Sequence, residues 1–377
     1  MLDLKRQHQP IQAELLDALE HVLETQHFIL GEQVSLFEST AARRLRVAHA
    51  VGCSSGTDAL WLALASAGIG PGKAVVTTPF SFFASVSAIL RAGATPVLAD
   101  IEPETCNLDP TQVKAALAGP KGRGAKAILP VHLYGQCADL TSFKQIAQEH
   151  LLTVIEDAAQ AWGAEWNGVK AGGLGEIAAF SFYPTKNLSA AGDAGMITTN
   201  SDELAERCRM LRQHGMRQRY FHEELGWNAR LDGFQAAVLQ VKLKYVDGWT
   251  EDRRAVAARY DGLFRAAGIA ESGPYPRHGV VLPRETPGSK HVWHQYVIRT
   301  ARRDELRAFL TERRIGSEIF YPVPLHLQQA LRPLGYAQGD FPEAERAARE
   351  VLALPIFSEL REDEQQTVVR AISDFLS

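Results

Sequence analysis

The 377-residue sequence has few cysteines, no long apolar run and nearly balanced charges. Its four cysteines (Cys53, Cys106, Cys137 and Cys208) are scattered without C-x-x-C spacing, which argues against a zinc site and a disulfide framework. We therefore expect no bound metal. No apolar run reaches the length of a membrane span, so no membrane partner is expected. The formal net charge of −4 shows no basic excess and gives no reason to expect a nucleic-acid partner.

The chain is too long for one typical domain and suits one large and one smaller domain. Apolar residues make up 46% and charged residues 22%, as in ordinary soluble globular proteins. The first residues, 1–6, have no apolar core after their charges and do not form a signal peptide. Together with the unpaired cysteines, this predicts a location in the reducing cytoplasm.

Apolar segments of strand length alternate with helical patterns through the first half of the chain, which predicts an α/β fold with a mostly parallel sheet. We expect a large domain over residues 1–245 and a smaller α/β domain over 246–377. Predicted strands lie at 48–53, 75–78, 95–101, 127–133, 152–157, 177–183, 196–199, 293–300 and 315–321. The clearest predicted helices lie at 10–24, 139–150, 203–213, 228–244, 246–264, 303–313 and 361–375.

Three polar or aromatic groups follow predicted strands, where ligands of parallel sheets bind. Asp157 ends one strand. Residues 55–58, Ser-Gly-Thr-Asp, lead into a helix whose free amides suit an anion, although the same residues are common in a plain N-cap. Residues 80–83 hold three aromatics; their spacing alone favours a core role over a flat face for a cofactor ring.

Lys186 follows a strand that Pro184 ends. A lysine buried among aromatics has a lowered pKa, and its free amine suits Schiff-base chemistry. Taken alone, an exposed loop lysine is the commoner case. The neighbouring features change this balance. An anion site, an aromatic face, a carboxylate and a lysine are what a phosphate-bearing pyridine aldehyde needs, since the carboxylate keeps the ring nitrogen protonated.

The sequence resembles the sugar aminotransferases of the DegT/DnrJ/EryC1/StrS family, which are pyridoxal-phosphate (PLP) enzymes of fold type I, the aspartate-aminotransferase fold. The resemblance extends from residues 28–31 to 352–355. Its most specific motifs are Ser-Gly-Thr-Asp-Ala-Leu at 55–60, Glu-Asp-Ala-Ala-Gln-Ala at 156–161 and Ser-Phe-Tyr-Pro-Thr-Lys-Asn at 181–187.

The resemblance implies a role for each matching residue of the cofactor site. By this resemblance, Lys186 is the Schiff-base lysine and then the general acid/base. Asp157 contacts the pyridine nitrogen, Gln160 lies near the ring hydroxyl, and Phe82 stacks on the ring. The phosphate is held by Gly56, Thr57 and Ser181, and Asn228 reaches the phosphate of the neighbouring subunit. The last match implies a homodimer with shared active sites.

The family's sugar dehydratases carry histidine at the lysine position, so Lys186 favours transamination. The implied reaction takes an amino group from L-glutamate, passes through pyridoxamine phosphate and delivers it to a nucleotide-linked keto sugar. The run 321–328 resembles enzymes that act on 3-keto sugars carried by dTDP or UDP; a 4-keto sugar is the alternative. A PLP dehydratase and a non-catalytic PLP-binding regulatory protein are further alternatives. A Rossmann dehydrogenase fails because no G-x-G-x-x-G opens a helix.

Substrate contacts are predicted less specifically, and each of these residues could instead be solvated or structural. Arginine binds diphosphates and carboxylates through bidentate contacts. Candidates for the sugar diphosphate or the glutamate carboxylate are His214, Arg217, Arg219, Arg230 and His326. Further substrate-binding candidates are Phe28, Tyr183 and Tyr321.

Overall fold

The computed structural model describes residues 1–377. Its α-helices are α1 (Leu4–His8), α2 (Gln12–Thr25), α3 (Glu32–Leu45), α4 (Gly56–Ser66), α5 (Ala84–Arg91), α6 (Pro110–Ala118), α7 (Leu140–His150), α8 (Asp202–Leu211), α9 (Gly233–Lys242), α10 (Val246–Ala266), α11 (Arg303–Glu312), α12 (Pro342–Glu350) and α13 (Glu362–Leu376). Short 3-10 turns occupy Gln9–Ile11, Pro120–Gly122, Leu133–Gly135, Leu325–Leu327 and Gln329–Leu334.

The strands are β1 (His49–Cys53), β2 (Ala74–Thr77), β3 (Thr95–Leu98), β4 (Ala125–Leu129), β5 (Thr153–Asp157), β6 (Glu165–Trp166), β7 (Val169–Lys170), β8 (Ile177–Ser181), β9 (Gly195–Thr199), β10 (Met216–Gln218), β11 (Phe221–His222), β12 (Ala270–Glu271), β13 (Val280–Val281), β14 (Ser289–Lys290), β15 (Tyr296–Arg299) and β16 (Val351–Leu354).

A seven-stranded sheet in the order β1-β9-β8-β5-β4-β2-β3 forms the centre of the larger part of the chain. Strand β9 runs antiparallel to both its neighbours, and the other pairs are parallel. Helices cover both faces: α4, α5 and α8 contribute to one apolar cluster, and α3, α6, α7 and α9 to the other. Because both faces are covered, β2 and β9 are buried throughout and contain apolar residues and threonines in place of strict alternation. The predicted α/β fold is confirmed.

The topology brings the functional motifs to one edge of the sheet. Strands β1 and β8 both pair antiparallel with β9, so they run parallel to each other and to β5. Asp157 ends β5 and Ser181 ends β8, while β1 leads into the start of α4. The carboxyl ends of these strands therefore bring together segments that are far apart in sequence.

A second sheet, β12-β13-β15-β16, lies in the C-terminal part, where α10, α11 and α13 pack. Strand β14 pairs with β6 of the hairpin at 165–170, and Arg6 in α1 bonds Glu364 in α13 at 2.7 Å. One apolar cluster is continuous from α4 to α13. The division at residue 245 remains a prediction. No helix combines the length and the apolar character that crossing a bilayer requires.

Two elements differ from the sequence-based predictions. The helix predicted from residue 228 begins at Gly233, where the Asp232 side chain accepts the amide of Gln235; residues 228–232 are extended and bridge to three separate segments. The strand predicted at 315–321 is wrong, since only Glu318 pairs with β16 and the chain then turns away. The β6–β7 hairpin turns through Asn167 and Gly168, with φ of 50° and 80°, as expected for an Asn-Gly turn.

Candidate active site

A cavity of about 780 Å³ lies beyond the carboxyl ends of β1, β5 and β8 and is closed on its far side by residues 318–321. It brings together many of the predicted site residues. Those that line it are Gly56, Thr57, Phe82, Asp157, Gln160, Ser181, Tyr183, Lys186 and Tyr321.

The start of α4 forms one wall and presents free backbone donors. Ser55 is the N-cap, and its side chain accepts the amide of Asp58 at 3.1 Å. The amides of Gly56 and Thr57 have no acceptor within the protein. Unpaired amides at a helix N-terminus attract an anion. Ser181 of β8 lies against this turn, so that a β-carbon added at Gly56 would be 2.6 Å from Ser181 Cβ.

A carboxylate in the first turn of α4 would repel a phosphate, but this one is neutralised. Asp58 forms an ion pair with Arg91 of α5 and accepts the Ser54 hydroxyl. The Arg91 guanidinium in turn lies 4.7 Å from the ring centroid of Trp61 and 5.7 Å from that of Trp227. The positive end of α4 therefore keeps its attraction for an anion.

Asp157 is buried at the floor of the cavity, with 3% of its surface exposed. Ser85 donates a hydrogen bond to its Oδ2 at 2.7 Å, and the amide of Ala159 donates to its Oδ1 at 3.2 Å. Burial raises the pKa of Asp157, and the Ser85 hydrogen bond opposes this most strongly. A cationic partner is needed to hold this buried carboxylate in its charged form.

Lys186 is half-buried in the wall beside Asp157, and its amine forms no hydrogen bond or ion pair within the protein. Burial lowers the pKa of Lys186 to about 8, against the opposing effect of the Asp157 carboxylate. An unpaired amine with such a pKa is available as a nucleophile near neutral pH.

The Gln160 side chain is fixed in orientation by two contacts. Its carbonyl oxygen accepts the backbone amide of Tyr134 at 2.7 Å, and its NH₂ group donates to the Tyr321 hydroxyl at 3.1 Å. The second N–H of the amide group remains for a ligand acceptor. The Tyr134 hydroxyl donates to the carbonyl of Phe320, which secures the segment that closes the cavity.

A model of the DegT/DnrJ/EryC1/StrS aminotransferase family matches residues 9–373. The chain belongs to this family. A relative from Geobacillus stearothermophilus, named pleiotropic regulatory protein, is 50% identical over 100% of this chain and 98% of its own length. A dTDP-3-amino-3,4,6-trideoxy-alpha-D-glucose transaminase from Streptomyces venezuelae is 42% identical over 99% of this chain and 95% of its own length. The crystal structure of S. venezuelae DesV with a ketimine intermediate is 42% identical, with a TM-score of 0.93 over 100% and 97% of the two chains.

DegT-family aminotransferases use PLP, and the cavity fits this cofactor. The unpartnered amides of Gly56 and Thr57 suit its phosphate, and the unpaired amine of Lys186 suits its aldehyde. The buried Asp157 carboxylate needs a cation such as a pyridinium. The protein is therefore a PLP-dependent aminotransferase of fold type I.

The aromatic group at 80–83 divides between core and cavity. Phe80 is buried, as the spacing predicts. Phe82 is 60% exposed and lines the cavity, so a core role for it is wrong. Its ring centroid lies 6.3 Å from that of Tyr321. The stacking role of Phe82 implied by the family stays a prediction, to which this position is suited.

Glu156, which precedes Asp157 in β5, points to the opposite side of the strand and is held by hydrogen bonds within the fold. It accepts the amides of Gly172, Leu174 and Gly175 at 2.6–2.9 Å, and its Oε2 lies 2.9 Å from His132 Nε2. The glycine-rich stretch 172–175 thus encloses the Glu156 carboxylate.

The remaining predicted residues lie outside the cavity of this chain. Arg217 pairs with Glu206 and Glu223 on the surface, and Arg219 lies over Tyr220. His326 is buried and bonds Glu345 at 3.0 Å. The others are His214, Asn228, Arg230 and Phe28. The ring of Phe28 stacks on that of Phe234. Their predicted roles therefore require a second chain or another conformation.

Several cavity residues were missed by the sequence analysis. His294 is buried and bonds Asn187 at 3.2 Å, and its pKa is well below the usual value because of burial. No local motif marks it. Glu318 lies in the segment misread as a strand. The other missed polar residues are Ser81, Ser85, Thr185, Asp193 and Gln295.

Proposed function

We propose that this aminotransferase transfers the amino group of L-glutamate to the 3-keto group of a sugar carried by dTDP or UDP. The observation that carries the proposal is the free amine of Lys186 beside Asp157 and Gln160 in one cavity. The choice of a 3-keto sugar rests on the S. venezuelae relative, whose name describes a 3-amino sugar product. The choice of L-glutamate rests on the family resemblance.

When bound, PLP supplies an aldehyde that captures the amine and a protonated ring that stabilises the electron pair left by proton removal. The chain supplies the rest. Asp157 would hold the proton of the ring nitrogen, and the free N–H of Gln160 would donate to the ring hydroxyl. Gly56, Thr57 and Ser181 would bind the phosphate, and Phe82 would cover one face of the ring.

The Lys186 amine accepts a proton from the substrate carbon and returns one during the transfer. A general base works best when its pKa lies near the operating pH, and the pKa of Lys186 of about 8 meets this condition. Because the amine has no partner in the protein, it moves without breaking a hydrogen bond.

The charges of the cavity support a homodimer with shared active sites. Asp157, Asp193 and Glu318 line the cavity, whereas Lys186 is its one basic side chain besides the neutral His294. A sugar diphosphate and the carboxylates of glutamate need further cations. Arg219 and Arg230 lie outside this cavity, so we propose that a second copy of the chain supplies them together with Asn228.

Exposed apolar side chains near Arg219, in residues 220–225, also support this dimer. Tyr220 is 75% exposed, Phe221 63% and Leu225 87%. Apolar groups clustered in this way are typical of protein interfaces. The cytoplasmic location remains a prediction.

Two alternatives to this function predict different results in the same experiment. A 4-keto sugar would use the same cofactor site. The name of the G. stearothermophilus relative favours a regulatory PLP-binding protein, although Lys186, Asp157 and Gln160 are all present. The test is the absorption spectrum before and after L-glutamate is added, followed by dTDP- and UDP-linked 3-keto and 4-keto sugars.

A Schiff-base band that glutamate converts, and that a 3-keto sugar nucleotide restores, would support the proposal. Restoration by 4-keto sugars alone would favour the first alternative. A Schiff-base band that no amino donor changes would favour the regulatory protein and overturn the proposed reaction.

A further inference from the structure

Two serines outside the family motifs form a directed hydrogen-bond chain to Asp157. Ser85, in the first turn of α5, donates to Asp157 Oδ2 at 2.7 Å, and Ser81 Oγ lies 2.9 Å from Ser85 Oγ. Both serines are buried, with 1% and 4% of their surfaces exposed. Since the single hydroxyl proton of Ser85 goes to the carboxylate, Ser81 donates to Ser85. The chain therefore runs from Ser81 through Ser85 to Asp157.

No other side chain bonds Asp157. Its second oxygen accepts only the amide of Ala159, at the longer distance of 3.2 Å. The charged or titratable groups that face it are Lys186, whose amine does not bond it, His132, which is already bonded to Glu156, and Tyr321, whose hydroxyl accepts from Gln160. In a buried site a hydrogen bond to a charged group contributes more than one to a neutral group. Ser85 is therefore the main fixed stabiliser of this carboxylate.

We propose that Ser85, oriented by Ser81, is a positioning residue that keeps Asp157 ionised and aimed at the ring nitrogen of PLP. Without the Ser85 hydroxyl, the buried carboxylate binds a proton more tightly. The proton shared between ring nitrogen and carboxylate then moves towards Asp157, and the ring becomes a weaker electron acceptor. The inference rests on the aminotransferase function of this site but is independent of the sugar substrate.

The direct test is nuclear magnetic resonance of the holoenzyme reconstituted with PLP labelled at the ring nitrogen. The wild type is expected to show the shift of a protonated ring. In Ser85→Ala the signal moves towards that of the unprotonated ring, and Ser81→Ala shows a smaller change in the same direction. Ser87→Ala is the matched control, because Ser87 lies on the same helix and its hydroxyl makes no hydrogen bond.

Kinetics provide the second measurement. Loss of a hydrogen bond to a charged group is expected to lower kcat in Ser85→Ala by about 10-fold or more. KM for the amino donor is expected to change by less than about 2-fold, because the Ser85 hydroxyl is buried and engaged with Asp157. Ser85→Cys keeps a weak donor of similar size and is expected to fall between wild type and Ser85→Ala.

A ring nitrogen that stays fully protonated in Ser85→Ala, with kcat close to wild type, would overturn the proposal. If Ser85→Ala does not fold, the ring-nitrogen signals of Ser85→Cys and Ser81→Ala test the proposal instead. Wild-type signals in both variants would also overturn the proposal. A wild-type enzyme that ignores glutamate would refute the proposed reaction, while the ring-nitrogen signal would still test the role of Ser85.

Discussion

Ser181 leaves no room for a side chain at Gly56: a β-carbon there would lie 2.6 Å from Ser181 Cβ and 3.0 Å from its hydroxyl oxygen. The end of β8 and the start of α4 are thus in direct contact. This contact joins the two segments that bind the phosphate in the proposed site, and it makes glycine a requirement of the site and not only of the helix start.

Gly56→Ala is therefore expected to weaken PLP binding by about 10-fold or more and to lower the free energy of unfolding by roughly 1–3 kcal/mol through overpacking. Equilibrium titration of the apoenzyme with PLP and denaturant unfolding measure the two effects. Gly262→Ala is the control, since nothing lies within 4 Å of its added carbon and it is in α10. The control is expected to stabilise by about 0.5–1 kcal/mol. Equal PLP affinity in Gly56→Ala and wild type would contradict the assignment of the phosphate turn.

Lys186→Ala is expected to bind PLP without a covalent link and to lose at least about 1,000-fold in kcat, because it removes both the Schiff-base amine and the general base. Borohydride reduction followed by mass spectrometry checks for the covalent link. Lys114→Ala, in which an exposed lysine of α6 is removed, is expected to behave as wild type. Retained transamination in Lys186→Ala would refute the role of this lysine.

A second lysine, Lys242 in α9, is buried without a carboxylate partner; its amine bonds only the Ser189 hydroxyl, at 3.1 Å. Burial lowers its pKa from 10.5 to about 8. Between these values the unfolded chain binds more protons than the folded one, so stability rises with pH across this range and the full penalty applies below pH 8.

Lys242→Met is accordingly expected to stabilise the protein at pH 7 by up to roughly 3 kcal/mol, the equivalent of the pKa difference. It should also flatten the increase of stability between about pH 8 and pH 10.5. Denaturant unfolding of wild type, Lys242→Met and the exposed control Lys114→Met across this pH range measures both effects. A variant less stable than wild type at pH 7 would show that the buried amine has a favourable partner.

Glu156→Gln is expected to destabilise the fold by about 3 kcal/mol, because an NH₂ group would face some of the amide donors of residues 172–175. Unfolding measurements with the exposed control Glu149→Gln check this. Asp157 keeps its contacts in this variant, so PLP binding by the protein that remains folded should be unchanged. A loss of PLP binding without a loss of stability would contradict the structural role of Glu156.

The sheet and the main cofactor segments could be predicted because they depend on local sequence. Buried parallel strands such as β2 have a continuous apolar pattern, and Asp157 and Lys186 stand directly after strands. The start of α9 was predicted too early, because Ala229 and Leu231 alternate with polar residues, which is the spacing of an extended segment, and both are buried in a segment that bridges to β1.

Residues that reach the cavity through tertiary packing gave no signal in the sequence. Ser85 stands in the first turn of a helix, where a serine usually indicates a cap. His294 and Glu318 come from the C-terminal part of the chain, and only the packing of its sheet brings them to the cavity. The positions of such residues depend on how the two parts of the chain meet, which spacing along the sequence does not record.

The proposed shared active site predicts complementation between two inactive variants. Lys186→Ala disables the site that contains the changed chain's own lysine, whereas Asn228→Ala disables the site of its partner. In a mixed dimer one site then combines an intact Lys186 from one chain with an intact Asn228 from the other. Refolding the two variants together should restore roughly a quarter of wild-type activity, because about half of the dimers are mixed and each has one intact site.

The same mixing experiment with Arg217→Ala and Lys186→Ala tests whether Arg217, near the exposed residues 220–225, also acts in the partner's site. Each variant refolded alone is the control for residual activity. If Asn228 acted within its own chain, every site of a mixed dimer would carry one defect, and mixing would restore nothing. Recovery that depends on mixing, measured at equal total protein, therefore distinguishes a site built from two chains from a site completed by one.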